Sequence, residues 1–481
     1  MAFSALSSLA LPLVVAIGGL GALLAVWLIR LPRLAIGLLF FSLLTGQLVR
    51  LPLPGQGGGL LPSDLAVAIL LLIVGIKKTY IRSADQNIHL NISRPPCLFR
   101  KLPPSIELHH QSITNTTSRL DERAAQKISS QSAQLNRVIL WLITPFIIWS
   151  LFTLILHAPN LGLSNVLVAF SYWLRLSANL LLLPALIYLL KSPALHHFVW
   201  YGLNLTVLLL VSTGLAQLAF FPDLSLLARA GWDPHQFRLV STWLDPNFIG
   251  LFLVLALPMI LLWQNKTWRL PGFILVIIAL ITTQSRSTQV AAGAAAILLS
   301  PLFLYQQEVK SNRRRLVTIS AVLGLAIIIS TIMIFALGPR LSGLLTIDPT
   351  VELRLASLAN GWQIVRDNPL LGVGYNAYQF APGEAQTVAN YSIHSRAGAD
   401  NSLLTIWATT GLIGLSLFLL PWSYLLRLFI TRSLLYRDPR ALAGLYSLTA
   451  LFIHSQFINS WLYSHLLITV AIIISLIIPR P

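Results

Sequence analysis

Apolar stretches long enough to cross a lipid bilayer recur along nearly the whole chain. A membrane-spanning helix needs about 20 predominantly apolar residues. The 481 residues are 56% hydrophobic and only 10% charged, which is more apolar material than a soluble core of this length uses. The sequence therefore predicts an all-α polytopic membrane protein with about 12–13 transmembrane helices.

Two long polar segments divide the predicted membrane spans. The predicted organisation is N-terminal transmembrane helices, a basic cytoplasmic loop, further transmembrane helices, a large external loop and C-terminal transmembrane helices, at residues 1–77, 78–137, 138–338, 339–401 and 402–481. The candidate spans are 8–29, 33–50, 62–77, 138–157, 166–190, 197–221, 246–264, 270–284, 288–306, 316–338, 402–426, 441–458 and 461–479.

The positions of the basic residues predict the orientation of these spans. When the spans are threaded alternately, the loops rich in Lys and Arg all fall on one side, which the positive-inside rule assigns to the cytoplasm. The formal net charge of +18 then lies entirely on that side. The large loop 339–401 is accordingly predicted to be external.

Composition also excludes several classes of function. The positive charges do not gather on one soluble face, so we do not expect nucleic acid as a partner; membrane lipids are the expected surroundings. A single cysteine, Cys97, excludes an internal disulfide and a CxxC-type metal cluster, and no cofactor or metal is predicted. No basic residue precedes Arg30, which favours a retained first span over a cleaved signal peptide.

Three polar clusters fall on the predicted external face. Residues 238–250 (RLVSTWLDPNFIG) lead into one span, residues 282–289 (TTQSRSTQ) separate two others, and the third cluster is the loop 339–401 with the following span start. The loop includes a predicted amphipathic helix followed by a Pro/Gly turn. Polar and charged groups at membrane depth mark functional cavities more often than surface charges do, so we expect these clusters to converge.

Arginines in these clusters suit recognition of an anion. Arg286 lies among hydroxyl and amide side chains, Ser285 included, which together suit a ligand with several oxygens such as a pyrophosphate. An interfacial anchor that reaches lipid headgroups is the alternative for Arg286. Arg354 either pairs with Glu352 or joins Arg286 on a diphosphate, and Arg175, inside a predicted span, either faces the cavity or neutralises an acid.

Several residues in the same clusters are candidates for proton transfer or substrate binding. His394 and Asp400 are the candidate general bases. Asp400 and Asn401 also form a good helix start, and Asp245 and Asn247 in DPNFIG fit a proline turn and an N-cap. The candidate substrate-binding residues are Arg175, Arg238, Asp245, Asn247, Ser285, Arg396 and Asn401.

Over residues 238–420 the order of these motifs resembles the O-antigen ligase and O-antigen polymerase superfamily of bacterial membrane glycosyltransferases. The resemblance rests on STWLDPNFIG, TQSRSTQVA, RLASLANGWQIVRDNPLLGVGYNAYQF and ADNSLLTIWATTGLIGL. It implies a glycosyltransferase C-like fold in the bacterial inner membrane, with the large loop on the periplasmic side.

The resemblance also implies a chemistry. The donor would be a glycan on undecaprenyl pyrophosphate, and a glycan, lipid or protein hydroxyl would accept it with inversion, without cofactor or metal. The two functional arginines of the family would fall on Arg286 and Arg354. Ligase members show a histidine where this chain has Asp400, which points toward polymerase-type members and leaves His394 as the other candidate base.

A transporter is the alternative function, either a flippase for lipid-linked sugars or a carrier of a small anion such as bicarbonate. A carrier is expected to place its charges near the bilayer midplane on broken helices and to open to both faces. The three clusters instead fall on one predicted face, which favours catalysis.

Overall fold

The computed structural model describes residues 32–49, 51–52, 59–91, 110–230, 233–306, 349–381 and 398–478. Almost all of the regular structure in these residues is α-helical, and the only strands among them are two residues each, so the predicted all-α polytopic class is confirmed. Leu51–Pro52 (β1) and Gly59–Leu60 (β2) form that antiparallel pair.

Twelve α-helices are found in the described residues. They are α1 (Pro32–Thr45), α2 (Pro62–Asn91), α3 (His110–Leu161), α4 (Leu163–Leu189), α5 (Pro193–Phe220), α6 (Pro246–Leu261), α7 (Lys266–Thr283), α8 (Arg286–Gln306), α9 (Pro349–Asp367), α10 (Ser402–Leu435), α11 (Pro439–His454) and α12 (Ser464–Ile477).

Six of these helices are long and apolar enough to cross a membrane, namely the 134–161 part of α3 together with α4, α5, α7, α8 and α10. Three shorter apolar helices, α1, α6 and α12, accompany them. Two predicted spans, 8–29 and 316–338, lie outside the described residues. Parts of the predicted basic loop 78–137 are helical, because α2 continues to Asn91 and α3 begins at His110.

The short apolar helix α12 lies at the centre of the packing. All residues of α12 are buried, and α12 packs against α4, α6 and α11. A helix that is apolar on every side has no face suited to water, so it lies where other helices surround it. The indole of Trp243 and the ring of Phe252 are fully buried beside this centre and contact each other with centroids 5.1 Å apart.

A second, smaller core lies outside the main bundle. Ile364 and Val365 of α9 pack with Tyr378, Ala399 and Leu404, so α9 rests on the first turns of α10. The predicted amphipathic helix of the large loop is therefore present, and burial of its apolar side fixes it to the start of the following helix.

Candidate functional site

Several helices begin or end at the same end of the bundle. Asp245 is the N-cap of α6, where its carboxylate accepts the backbone N–H groups of Asn247 (2.7 Å) and Phe248 (3.2 Å). The capping role considered for Asp245 is thus what the structure shows. Burial raises the pKa of the Asp245 carboxyl, and the two N–H groups act in the opposite direction.

The segment before α6 is tied to the turn between α7 and α8. Leu239 N–H donates to the Thr282 carbonyl at 3.0 Å, and the Arg238 guanidinium Nε–H donates to the Thr283 carbonyl at 3.0 Å. The Gln284 amide, in a left-handed residue with φ 50°, donates to the Phe237 carbonyl at 2.9 Å. The first two sequence clusters therefore meet, and Arg238 satisfies carbonyls left open at the end of α7.

A buried network of hydroxyl groups supports the first turn of α8. Ser285 Oγ donates to Asn247 Oδ1 at 2.7 Å and lies 2.8 Å from Thr288 Oγ1. The imidazole Nε2 of His454, at the end of α11, lies 3.2 Å from Ser287 Oγ. Asn247 and Ser285 thus hold each other and the helix start in place.

Arg286 is the first residue of α8, and its side chain is exposed. The ion pairs within the described part of the chain are Arg175–Asp64 and Arg432–Asp438, so Arg286 has no acidic partner there. A helix start carries partial positive charge and free N–H groups, which favour anions. An exposed guanidinium at this position is well suited to bind a phosphate oxygen.

Arg354 and Asp400 interact electrostatically across the smaller core. Arg354 is exposed on α9 and, like Arg286, has no ion pair within 4.0 Å among the described residues. The Asp400 backbone N–H donates to Ser357 Oγ on α9 at 3.1 Å. Burial raises the pKa of the Asp400 carboxyl, and the Arg354 charge opposes that rise. A carboxylate with a raised pKa is a stronger base than an exposed one.

Asn401 is the N-cap of α10. Its Oδ1 accepts the backbone N–H groups of Leu403 and Leu404, each at 3.0 Å. Its side-chain amide donates to Gln456 Oε1 at 3.1 Å. Asn401 therefore holds the helix start that places Asp400.

A break in α10 fixes the loop that follows α9. At Gly411 the backbone has φ 70° and ψ 179°, and Leu412 N–H donates to the Pro369 carbonyl at 2.9 Å instead of within the helix. The Ala408 carbonyl accepts Val373 N–H at 3.0 Å. This insertion of loop backbone into the helix break anchors α9, and with it Arg354.

The remaining predicted site residues lie elsewhere or outside the described residues. Arg175 forms a bidentate ion pair with Asp64 at the start of α2, with Nε to Oδ1 at 2.9 Å and a second nitrogen to Oδ2 at 2.7 Å. This is the acid-neutralising alternative considered for Arg175, and its substrate-binding role stays a prediction. His394 and Arg396 lie outside the described residues.

Two histidines of this end of the molecule were not predicted from the sequence. His454 falls within an apolar run that reads as an ordinary membrane span, and His235 precedes the first cluster. Burial lowers the pKa of His235, and the neighbouring Asp245 carboxylate opposes that shift. Their only sequence signal was their residue type, since contact with the clusters depends on tertiary packing. In the described part of the chain no three His, Cys, Asp or Glu residues are grouped as a metal site would require.

The fold and this end of the bundle define a class: a polytopic helical membrane protein with two exposed arginines and a partly buried carboxylate around helix starts. Residues 271–419, just under a third of the chain, match the family model described as O-antigen ligase. Arg286, Arg354, Asp400 and Asn401 lie within the match, and the predicted resemblance is confirmed for that region. No curated protein matches the sequence. The match supports a glycosyltransferase function of the O-antigen ligase or polymerase kind.

Proposed function

We propose that the protein transfers a glycan from undecaprenyl pyrophosphate to an acceptor hydroxyl, with inversion, at the periplasmic face of the bacterial inner membrane. The observation that carries the proposal is that Arg286 and Arg354, both exposed and without an ion pair to a described residue, occupy the same end of the bundle as Asp400. All three lie in the region that matches the O-antigen ligase family.

In the proposed reaction the acceptor oxygen attacks the anomeric carbon from the face opposite the diphosphate. A new C–O glycosidic bond forms, the C–O bond to the diphosphate breaks, and the diphosphate leaves with the electron pair. The acceptor proton passes to the Asp400 carboxylate; His394 is the other candidate acceptor of that proton.

Arg286 and Arg354 stabilise the negative charge that grows on the departing diphosphate. Groups fixed in advance around a developing charge often supply the largest part of catalysis. The backbone of Arg286 is held at the start of α8, and that of Arg354 is held by the packing of α9 on α10. The acceptor is the hydroxyl of a glycan, a lipid or a protein.

The proposal is tested with purified protein and an undecaprenyl-pyrophosphate-linked oligosaccharide, with release of undecaprenyl pyrophosphate as the readout. Arg286→Ala and Arg354→Ala are each expected to slow release by about 10²–10³-fold. Arg366→Ala is the matched control, because Arg366 is an exposed arginine on the same helix as Arg354. His394→Ala and Asp400→Ala are compared to identify the base.

A longer glycan among the products would indicate polymerisation, whereas glycan attached to a separate acceptor would indicate ligase-type transfer. A folded wild-type protein that releases nothing across several donors and acceptors would contradict the proposal. Uptake into proteoliposomes would then test the transporter alternative.

A further inference from the structure

The segment from His454 to Ser460 contacts the start of α8, which carries Arg286, and the start of α10, which follows Asp400. His454 is completely buried, with Nε2 3.2 Å from Ser287 Oγ and 3.3 Å from Thr288 Oγ1 in the first turn of α8. Its Nδ1 lies 2.7 Å from Ser460 Oγ, at the far end of the same segment. Both ring nitrogens therefore have partners, which fixes the orientation of the ring.

The contact of His454 with Thr288 continues into the hydroxyl network that supports the first turn of α8. Thr288 Oγ1 lies 2.8 Å from Ser285 Oγ, which donates to Asn247 Oδ1 at the start of α6. The His454 ring is thus the last member of a buried chain of polar groups. The chain includes Ser285, directly before Arg286, and Ser287 and Thr288, directly after it. Such chains specify one arrangement, because leaving a buried polar atom without a partner is costly.

The rest of the segment holds the start of α10, next to Asp400. Ser402 N–H donates to the Ser455 carbonyl at 2.8 Å, and Thr405 Oγ1 donates to Asn459 Oδ1 at 3.0 Å. The Asn401–Gln456 side-chain bond adds a third connection. The segment therefore joins the helix start that carries Arg286 to the helix start that follows Asp400.

We infer that His454 is a positioning residue which sets the placement of Arg286 relative to Asp400 through the 454–460 segment. The inference rests on the function proposed above. His454 lies beyond the family match at 271–419, so the match assigns it no part in the site. The charge of Arg354 also acts on the His454 ring, which lies against the first turn of α8, where Arg286 is the first residue.

A positioning role predicts a defined kinetic effect. A displacement of about 1 Å at a reacting group can cost on the order of 10²-fold in rate. Replacing His454 by leucine, of similar volume, removes its contacts with Ser287, Thr288 and Ser460 and lets the first turn of α8 shift. We expect the transfer rate to fall by about 10–100-fold.

Two polar variants separate positioning from general stability. In His454→Gln the amide reaches the place of Nε2, next to Ser287 and Thr288; in His454→Asn it reaches only the place of Nδ1, next to Ser460. We expect the Gln variant to retain more transfer than the Asn variant at equal melting temperature. The matched control is His196→Leu, since His196 is another buried histidine, bonded to the Leu476 carbonyl at 3.2 Å.

A double-mutant cycle provides the decisive experiment. If His454 acts through Arg286, His454→Leu slows an Arg286→Lys protein by less than about 2-fold, whereas independent effects would multiply. Full multiplication, or wild-type kinetics in a folded His454→Leu protein, overturns this inference alone. The inference is also overturned if the His454→Gln and His454→Asn proteins both lose transfer only in proportion to their loss of melting temperature. A folded wild-type protein without transfer overturns the proposed function together with it.

Discussion

Asp400 occupies a position in which its charge state depends on opposing influences. Burial and the nearby Asp233 charge raise the pKa of the Asp400 carboxyl, and the Arg354 charge lowers it. The net direction is upward, so the carboxylate is more basic than that of an exposed aspartate. A proton acceptor needs this property, because an ordinary carboxylate is a weak base at neutral pH.

The pH dependence of transfer should follow from this environment. The active form is the ionised carboxylate, so transfer is expected to fall as the pH drops through the raised pKa of Asp400, above the roughly 3.9 of an exposed aspartate. The transfer rate of Asp400→Asn should be about 10²–10⁴-fold lower, and the fall of the rate at low pH, the acid limb of the pH profile, should disappear. Rate measurements across pH on both proteins test this.

Asp400→His serves as the informative companion variant, because it installs the side chain expected at this position in ligase members of the resembling family. It should keep more transfer than Asp400→Asn, with its acid limb moved toward the roughly 6.5 of histidine. Equal rates for the Asn and His variants, or an acid limb that persists in Asp400→Asn, would assign the proton to another group.

Of the five arginines singled out from the sequence, four lie in the described residues, and these divide into two kinds. The Arg175 side chain is bound by Asp64, and Arg238 donates to the Thr283 carbonyl, whereas Arg286 and Arg354 are exposed without ion pairs in the described residues. Residue type and local polarity predicted all four as candidates. Residue type and local polarity could not distinguish the paired arginines from the exposed ones, because the partners of Arg175 and Arg238 lie 111 and 45 residues away along the chain.

At the scale of elements, the break in α10 links the large loop to the membrane part. A Cβ added at Gly411 would lie 1.9 Å from the Leu370 carbonyl oxygen, and one added at Gly372 would lie 2.5 Å from the Thr409 carbonyl carbon. The two backbones touch only because both residues are glycine. Trp149 Nε1–H donates to the Thr410 carbonyl at 2.8 Å and so fastens the break to α3.

Gly411→Ala should therefore be strongly destabilising. The backbone at Gly411 lies in a region that is essentially restricted to glycine, where another residue costs about 1–3 kcal/mol before any clash. Because the loop backbone must also move, we expect a lower melting temperature in detergent together with loss of transfer.

Gly293→Ala is the control for the Gly411 prediction. Gly293 lies inside α8, and apart from its chain neighbours and the backbone of its own helix no described residue has an atom within 4 Å of an added Cβ. Alanine favours a helix over glycine by about 0.5–1 kcal/mol. The melting temperature of the Gly293→Ala protein should stay unchanged or rise. Unchanged stability in Gly411→Ala would show that the break does not anchor the loop.

How far the sequence predicts these elements depends on the range of the contacts. Hydrophobic length predicted most helices, and the sequence predicted an amphipathic helix in the large loop, which the structure has at Pro349–Asp367, because these are local properties. The predicted span 461–479 contains α12, but the central burial of α12 and the break at Gly411 follow from contacts with distant segments. Local periodicity carries no record of such contacts, and the histidine contact that joins α11 to α8 was missed for the same reason.

For the whole molecule, the two ends of the bundle differ in chemistry. The α7 helix runs from Lys266 to the turn that precedes Arg286, so these two basic residues lie at opposite ends. Contacts among the Asp245, Arg286, Asp400 and His454 regions gather the proposed site at one end. The proposed function requires that end to face the periplasm.

The orientation can be tested with single cysteines in a Cys97→Ser protein. Leu226, 73% exposed, precedes the first site cluster, and Gln264 lies exposed in the turn between α6 and α7, at the opposite end. In spheroplasts a membrane-impermeant maleimide should label Leu226→Cys and leave Gln264→Cys unlabelled, because basic loops remain in the cytoplasm. Permeabilised spheroplasts provide the control, in which both cysteines should react. The reverse pattern would place Arg286 and Asp400 on the cytoplasmic side and contradict transfer at the periplasmic face.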